Sequence, residues 1–267
     1  MRNINIFCFG FGQVAKNFIK KLTIEKYNIT LTTTSRNKSS KENFNGINYN
    51  SHLFNSERFD NNLLTELKKA DHILVSIPPE NQEDLVIKNF SKFIEDSKAK
   101  WITYLSATSV YGNHNGEWVN EKSETKPTSP NGVARLKAEN LWLALATSKN
   151  LSVQIFRLSG IYSNEKNILF RLKLGTMKLI NKNYHYFSRI HVEDIANILF
   201  KSLSKFKSGE IYNLADDKPS SSEEVILHSV KLLKTQSPKK IEVNEIKSEM
   251  LKNFYKDSKK VSNQKMK

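Results

Sequence analysis

A single cysteine, Cys8, in 267 residues leaves no second thiol to join it. No disulfide can form within the chain, and a reducing compartment is expected. Cys8 lies in an apolar segment, where it reads as a small buried hydrophobe with no sign of a redox role. Long apolar runs are also missing. Leu141-Trp142-Leu143-Ala144-Leu145-Ala146 is among the longest, far short of a membrane span. The N-terminal apolar stretch is broken by Asn5, a glycine turn and Gln13, so it does not read as a signal peptide. A soluble, cytoplasmic protein with no membrane partner is expected. There are no internal repeats and no long linker, and the length suits one large domain or a larger domain with a smaller companion.

Acidic residues are the minority charge: 27 Asp and Glu face 42 Lys and Arg, for a formal net charge of +15. Tracts of five or more like charges are absent, the lysines are spread among Glu, Asp and Asn, and no nucleic-acid-binding motif is visible. Nucleic acid is therefore not an expected partner. A basic surface instead draws anionic substrates or cofactors toward a cleft. His185 and His191 do not have metal-ligand spacing, so no metal is expected.

The first 36 residues hold the strongest positive signal. Ile4-Asn5-Ile6-Phe7-Cys8-Phe9 reads as a strand and is followed directly by Gly10-Phe11-Gly12-Gln13-Val14-Ala15. Val14, Phe18, Ile19 and Leu22 then recur at helical spacing, and Ile29-Thr30-Leu31-Thr32-Thr33-Thr34 forms a β-branched second strand. In a strand–turn–helix–strand unit each part has a job. Gly10 lets the chain turn tightly, Gly12 lets a pyrophosphate approach the backbone, and Ala15 lets the helix pack closely on the strand. The helix start, at Gln13 and Val14, offers N–H donors and a positive dipole end. An acidic residue after the second strand would hold the 2′-hydroxyl of NAD. Ser35-Arg36 stands there instead, with Lys38 nearby, which favours the 2′-phosphate of NADP over NAD.

Beyond this unit strands and helices alternate, as βα repeats with a parallel sheet require. Ile73-Leu74-Val75-Ser76-Ile77 is a strand buried on both faces, stopped by Pro78-Pro79 at the carboxyl edge where such sheets bind ligands. Ile77 and Pro78 thereby join the candidate cofactor residues. Leu85, Val86, Phe90, Phe93 and Ile94 trace a helix face, and Trp101–Leu105 is the next strand. A polar loop runs through Asn113-His114-Asn115-Gly116. A helix is expected from about Val133 to Thr147, a strand over Val153–Arg157, a helix over Val192–Leu203 and a strand over Glu210–Leu214. Residues 218–267 are less periodic and read as part of a smaller subdomain.

Several segments in order resemble one family. Leu105-Ser106-Ala107-Thr108-Ser109-Val110-Tyr111-Gly112 resembles the strand-end segment of extended short-chain dehydrogenases, the NAD-dependent epimerase/dehydratase group. Glu117–Glu121, Arg157-Leu158-Ser159-Gly160-Ile161-Tyr162, Arg189–Ala196, Ile211–Asp217 and Lys259–Asn263 resemble its later signatures. The resemblance spans nearly the whole chain and is closest to the atypical, YeeZ-like branch, with a shortened C-terminus. It implies an α/β fold: a doubly wound parallel (Rossmann) sheet over 1–158 and 190–214, with a small substrate-binding lobe from 159–189 and 215–267.

The family's chemistry uses a Ser or Thr with a Tyr and a Lys four residues apart on a helix: the Lys lowers the Tyr pKa and holds the nicotinamide ribose, and the Tyr moves a proton. Alignment on Val110-Tyr111-Gly112 puts Ala107, flanked by Ser106 and Thr108, at the hydroxyl position, with Asn131 and Arg135 at the Tyr and Lys positions. Asparagine does not titrate, and arginine stays charged. Arg135 can still hold ribose hydroxyls or a phosphate, and Ser106 joins it as a cofactor candidate. Lys137, two residues on, points to another helix face. Thr108, Tyr111 and Arg135 are the catalytic candidates, with Tyr111 the sharpest proton donor, although a packing role competes. His114 reads as a solvated loop residue, Trp118 as a loop anchor packed on the sheet, and Arg189 and His191 as groups able to meet a substrate anion.

The expected function is an NADP(H)-binding oxidoreductase- or epimerase-like protein acting on a small hydroxyl- or carbonyl-bearing metabolite, with a sugar or nucleotide sugar as one class. The alternative is a non-enzymatic NADP(H)-binding sensor or scaffold.

Overall fold

The computed structural model describes residues 2–267, the side chain of Met250 excepted. In chain order the elements begin β1 (Asn3–Phe9), α1 (Gln13–Ile24), β2 (Asn28–Ser35), β3 (Ser40–Phe44), β4 (Ile47–Leu53), α2 (Asn62–Lys69), β5 (His72–Val75), α3 (Leu85–Glu95) and β6 (Trp101–Ala107). Then follow β7 (Trp118–Val119), α4 (Pro130–Ser148), β8 (Val153–Leu158), β9 (Gly160–Tyr162), α5 (Ile168–Lys173), β10 (Leu179–Asn181) and β11 (Arg189–His191). The chain closes with α6 (Val192–Ser202), β12 (Ile211–Leu214), α7 (Ser222–Leu233), β13 (Lys240–Glu242), α8 (Glu249–Lys256) and β14 (Lys260–Val261). Two compact units result: residues 2–107, 134–157 and 192–211 form the first, and 108–133, 158–191 and 212–267 the second. Residues 108–133, which the sequence reading groups with the nucleotide domain, cluster with the second unit.

The large sheet has the order β12-β8-β6-β5-β1-β2-β4-β3. β1 pairs parallel with both β2 and β5, so the strand order reverses beside it. In such a sheet ligands bind outside the carboxyl strand ends at that reversal. Apolar alternation explains the layering. Phe7 and Phe9 of β1 face a core that includes Leu63 and Leu67 of α2, Phe90 and Ile94 of α3, and Trp142 of α4. Ile4, Ile6 and Cys8 of the same strand are buried outside that cluster, and α1 and α6 pack on each other. Helices thus cover both faces of a doubly wound sheet. Cys8 is fully buried, and burial pushes its thiol well above the ordinary range.

Three details depart from the sequence reading. The β3–β4 hairpin and α2 were not read from the sequence. The hairpin turns through Asn45 and Gly46, at φ 51° and 81°, and makes β3 an antiparallel edge on an otherwise parallel order. Such an Asn-Gly pair is the usual two-residue hairpin signal. β5 ends at Val75, and just beyond it the Ser76 N–H donates to the Phe9 carbonyl (3.0 Å) and its hydroxyl to the carbonyls of Phe9 (3.0 Å) and Gly10 (3.1 Å). α4 starts at Pro130 rather than Val133. Ser129 Oγ accepts the Gly132 N–H (3.1 Å), and proline suits a first helical position.

In the second unit β7 pairs with β14, β9 with β11, and β10 with β13. The less periodic stretch from 218 to 267 holds α7 and α8. Ser221 and Glu224 close a capping box at the start of α7. Ile180, Ile241, Ile246 and Tyr255 make a small core. Among the described residues no helix is long and apolar enough to cross a membrane.

Candidate functional site

In the first unit, the sequence-predicted cofactor residues gather at the carboxyl ends of β1, β2, β5 and β6. Gly10 follows β1 with φ +84°, a left-handed conformation that glycine adopts without strain. A Cβ here would lie 2.7 Å from Ile77 Cγ2 and 3.0 Å from Ser76 Oγ. Its N–H donates to Thr34 Oγ1 (2.9 Å), tying the turn to the end of β2. Ile77 therefore packs against the turn, with the exposed Pro78 next along the chain.

Gly12 differs in kind. It caps α1 with an ordinary φ of −81°, is exposed, and has no atom within 4 Å of where a Cβ would stand. The first turn of α1 has neither a side-chain cap nor an acidic residue. Its leading N–H groups, at Gln13 and Val14, have no intrahelical partner. Open backbone at a bare helix N-terminus suits an anion such as a pyrophosphate. Ser35 is half-buried at the end of β2, and Arg36 and Lys38 are exposed just beyond. Among the described residues the Arg36 guanidinium has no ion-pair partner; only its carbonyl is engaged, by Asn55 Nδ2 (3.1 Å).

At the end of β6 the Arg135 guanidinium donates to the Leu105 carbonyl and sits 5.8 Å from the Tyr104 ring centre. Beside it, Ser106 is buried, and its Oγ has no hydrogen-bond partner among the described residues. An unpartnered buried hydroxyl at a ligand-binding edge is a group a bound molecule can satisfy. The α4 face carrying Arg135 is pinned twice more. Glu139, one turn on, makes a buried ion pair with Arg157 of β8 (Nη2 to Oε2 2.7 Å; Nε to both oxygens 3.1 Å). Trp142 Nε1 donates to Asp84 (2.9 Å), whose other oxygen caps α3 through Val86 and Ile87. Burial pushes the Asp84 carboxyl above its usual range, against those hydrogen bonds. The sequence reading missed the Glu139–Arg157 pair: Glu139 carries no motif, and which residue faces Arg157 is set by tertiary contact.

In the second unit Tyr111 is fully buried, and its hydroxyl donates to Asn213 Oδ1 (2.8 Å). Burial and this hydrogen bond fit the packing role that competes with a proton-donor role for Tyr111. Asn213 Nδ2 donates to the Ser262 carbonyl (3.2 Å), Asn263 Nδ2 to Ala215 (2.9 Å), and Lys259 Nζ to Gly112 (2.9 Å). Three of the signature-like segments are thus stitched together. His114 is half-buried and donates through Nε2 to the Tyr111 carbonyl (3.1 Å), so it holds the loop. Trp118 is 55% exposed on β7 rather than packed as an anchor. Thr108 is half-buried in a short 3₁₀ turn. Arg189 Nη1 donates to the carbonyls of Phe187 (3.1 Å) and Ser220 (3.2 Å), and His191 lies 5.1 Å from the Tyr162 ring. His185 is buried against Tyr255 (4.7 Å), and burial with the nearby Lys182 pushes its pKa down. A cavity of about 1110 Å³ opens among β9, α5, α7 and α8. Among the described residues no three His, Cys, Asp or Glu side chains group as a metal site.

Residues 86–215 match the NAD dependent epimerase/dehydratase family. Over its whole length the chain is similar to the solved structure of a functionally unknown conserved protein from Silicibacter pomeroyi DSS. The two are 30% identical, with a TM-score of 0.84 over 98% of this chain and 90% of that one. The chain belongs to the NAD-dependent epimerase/dehydratase family. Two solved structures share its fold at lower identity. UDP-N-acetylglucosamine 4-epimerase from Bacillus cereus is 15% identical with a TM-score of 0.73, over 98% of this chain and 90% of that one. A dTDP-glucose 4,6-dehydratase from Streptomyces venezuelae, solved with NAD and TYD bound, is 17% identical with a TM-score of 0.77, over 100% and 89%. No curated protein matches the chain. This epimerase/dehydratase-family member has Asn131 exposed in the first turn of α4 and Arg135 one turn further along.

Proposed function

We propose that the chain is an NADP(H)-binding oxidoreductase or epimerase of an atypical, YeeZ-like kind, acting on a hydroxyl- or carbonyl-bearing metabolite without the usual Ser-Tyr-Lys set. One observation carries the cofactor assignment: the open Gly12 backbone at the uncapped start of α1, with the exposed Arg36 following β2. Gly10 shapes the turn, and the N–H groups from Gln13 and Val14 meet the pyrophosphate. Ser35 and Arg36 take the adenosine 2′-phosphate, which a guanidinium meets at two oxygens at once. Ile77 and Pro78 border the adenosine side, and Ser106 and Arg135 meet the nicotinamide ribose. The NAD reported in the dehydratase structure supports a nicotinamide dinucleotide as the cofactor class.

When bound, the cofactor supplies hydride exchange at a carbinol or carbonyl carbon. The chain's own part is to bind, orient and handle the proton. Asn131 has no titrating proton, and the Tyr111 hydroxyl is engaged with Asn213. Of the catalytic candidates, the half-buried Thr108 hydroxyl and the Arg135 guanidinium then remain to orient a substrate oxygen. A cytoplasmic setting belongs to the same reading, supported by the single buried thiol.

A second reading, a non-enzymatic NADP(H) sensor or scaffold, draws on the non-titrating Asn131. Stopped assays of the full chain with NADPH and NADP⁺ across panels of carbonyls, alcohols and nucleotide sugars separate the two. Turnover with at least one compound supports the enzyme. Stoichiometric NADPH binding with no turnover across the panel supports the sensor, and no binding of either cofactor defeats both.

A further inference from the structure

We infer that the cavity of the second unit takes an amphipathic anion: an apolar body seated inside, with an acidic head group at its basic rim. The inference names the substrate class of the proposed oxidoreductase and rests on that reading. The cavity floor is the small core itself, with Ile241, Ile246, Phe254 and the buried Ile226, and Phe170 and Leu251 stand beside it. Phe170 is 52% exposed and Leu251 39% exposed, although both line the cavity. These two apolar side chains, left open to a concave space beside that core, mark a ligand surface.

The polar lining decides what the ligand is not. Recognition of a base or a sugar ring needs amides and hydroxyls free to pair. Most of the amide and aliphatic hydroxyl side chains lining this cavity are engaged by the protein itself. Asn167 caps α5 through the Phe170 N–H and donates to the carbonyls of Ser163 and Asn164. Ser248 caps α8, and Thr176 bonds the Arg171 carbonyl. Charge is what remains. Lys166, Arg171, Lys178 and Lys247 line the cavity and have no ion-pair partner among the described residues. Against them stand Glu165 and Glu245, and Glu245 already accepts the Glu242 N–H (2.7 Å). A rim with surplus positive charge attracts an anionic head, with an effect that salt weakens.

Calorimetric titration of the full chain with sodium decanoate, 1-decanol and UDP-N-acetylglucosamine tests this, with NADPH titrated on the same preparation. Decanoate is expected to bind at least about fivefold more tightly than decanol at low salt, the gap narrowing at high salt, because exposed charges each contribute a few-fold. UDP-N-acetylglucosamine is expected not to displace it. Phe170→Asp, at a position already half in water, should weaken decanoate at least tenfold and leave NADPH affinity unchanged. Arg171→Glu combined with Lys247→Glu should erase the preference for decanoate over decanol. Equal binding of decanol, displacement by the nucleotide sugar, or undiminished decanoate binding in Phe170→Asp would overturn the inference. No decanoate binding with normal NADPH binding would overturn it while leaving the proposed function standing. Decanoate binding without NADPH binding would instead overturn the proposed function, and with it the assignment of the cavity to substrate.

Discussion

The two glycines of the opening turn should respond oppositely to the same methyl group. At Gly10, alanine must adopt φ +84° and place its Cβ 2.7 Å from Ile77 Cγ2 and 3.0 Å from Ser76 Oγ. The left-handed conformation costs a non-glycine residue about 1–2 kcal/mol, and overpacking a tight site adds about 1–3 kcal/mol. Gly10→Ala is therefore expected to lose about 2–5 kcal/mol of folding stability. At Gly12, alanine keeps φ near −81° and meets nothing within 4 Å. Its stability cost is below about 1 kcal/mol, the difference between glycine and alanine at a helix cap. The new methyl group instead occupies the space a phosphate needs. Losing one charged hydrogen bond costs about 1.5–3 kcal/mol, or roughly 10- to 100-fold in NADPH affinity. Urea unfolding followed by circular dichroism, beside NADPH fluorescence titration, reads both quantities. Undiminished NADPH binding by Gly12→Ala would refute the placement of the pyrophosphate at the start of α1.

Other outcomes follow from the same site. Glu139→Ala should cost about 3–5 kcal/mol in urea unfolding, because it strands the buried Arg157 guanidinium without its partner. Arg135→Ala should weaken NADPH binding, whereas Asn131→Ala should leave both binding and any native turnover nearly unchanged; a large turnover loss in Asn131→Ala with cofactor affinity intact would contradict the role given to that position. Burial lowers the pKa of His72 from 6.5 to about 4. As pH falls below 6.5 the unfolded chain takes up a proton that the folded one refuses, so stability should drop by up to about 3 kcal/mol between pH 6.5 and 4 and stay flat above. In His72→Leu that part of the slope should vanish, as urea midpoints at stepped pH would show.

The Rossmann core was legible because its signals are local. Gly10, Gly12 and the apolar spacing of Val14, Phe18, Ile19 and Leu22 dictate turn and helix with no help from distant residues. The β3–β4 hairpin carried a readable Asn45-Gly46 turn, but its strands, rich in Lys, Glu and Asn, lack the apolar alternation that flags a sheet strand. α7 was signed by Ser221 and Glu224, and the lysine-rich stretch around it masked that signal. Of the proposed cofactor residues, Gly12 and Arg36 could be singled out from spacing alone. The engaged Tyr111 hydroxyl, the unpartnered Ser106 Oγ and the Glu139–Arg157 pair could not, since each depends on residues far apart in sequence.

Cofactor choice tests the central claim most directly. Fluorescence titration of NADPH and NADH should be run side by side on the unmodified chain and on Arg36→Asp. One guanidinium on a doubly charged phosphate contributes about 1.5–3 kcal/mol, so NADPH should bind roughly 10- to 100-fold more tightly than NADH. Arg36→Asp should remove that preference or reverse it. Equal affinities in the unmodified chain, or an unchanged ratio in Arg36→Asp, would contradict the assignment of this strand edge to NADP(H).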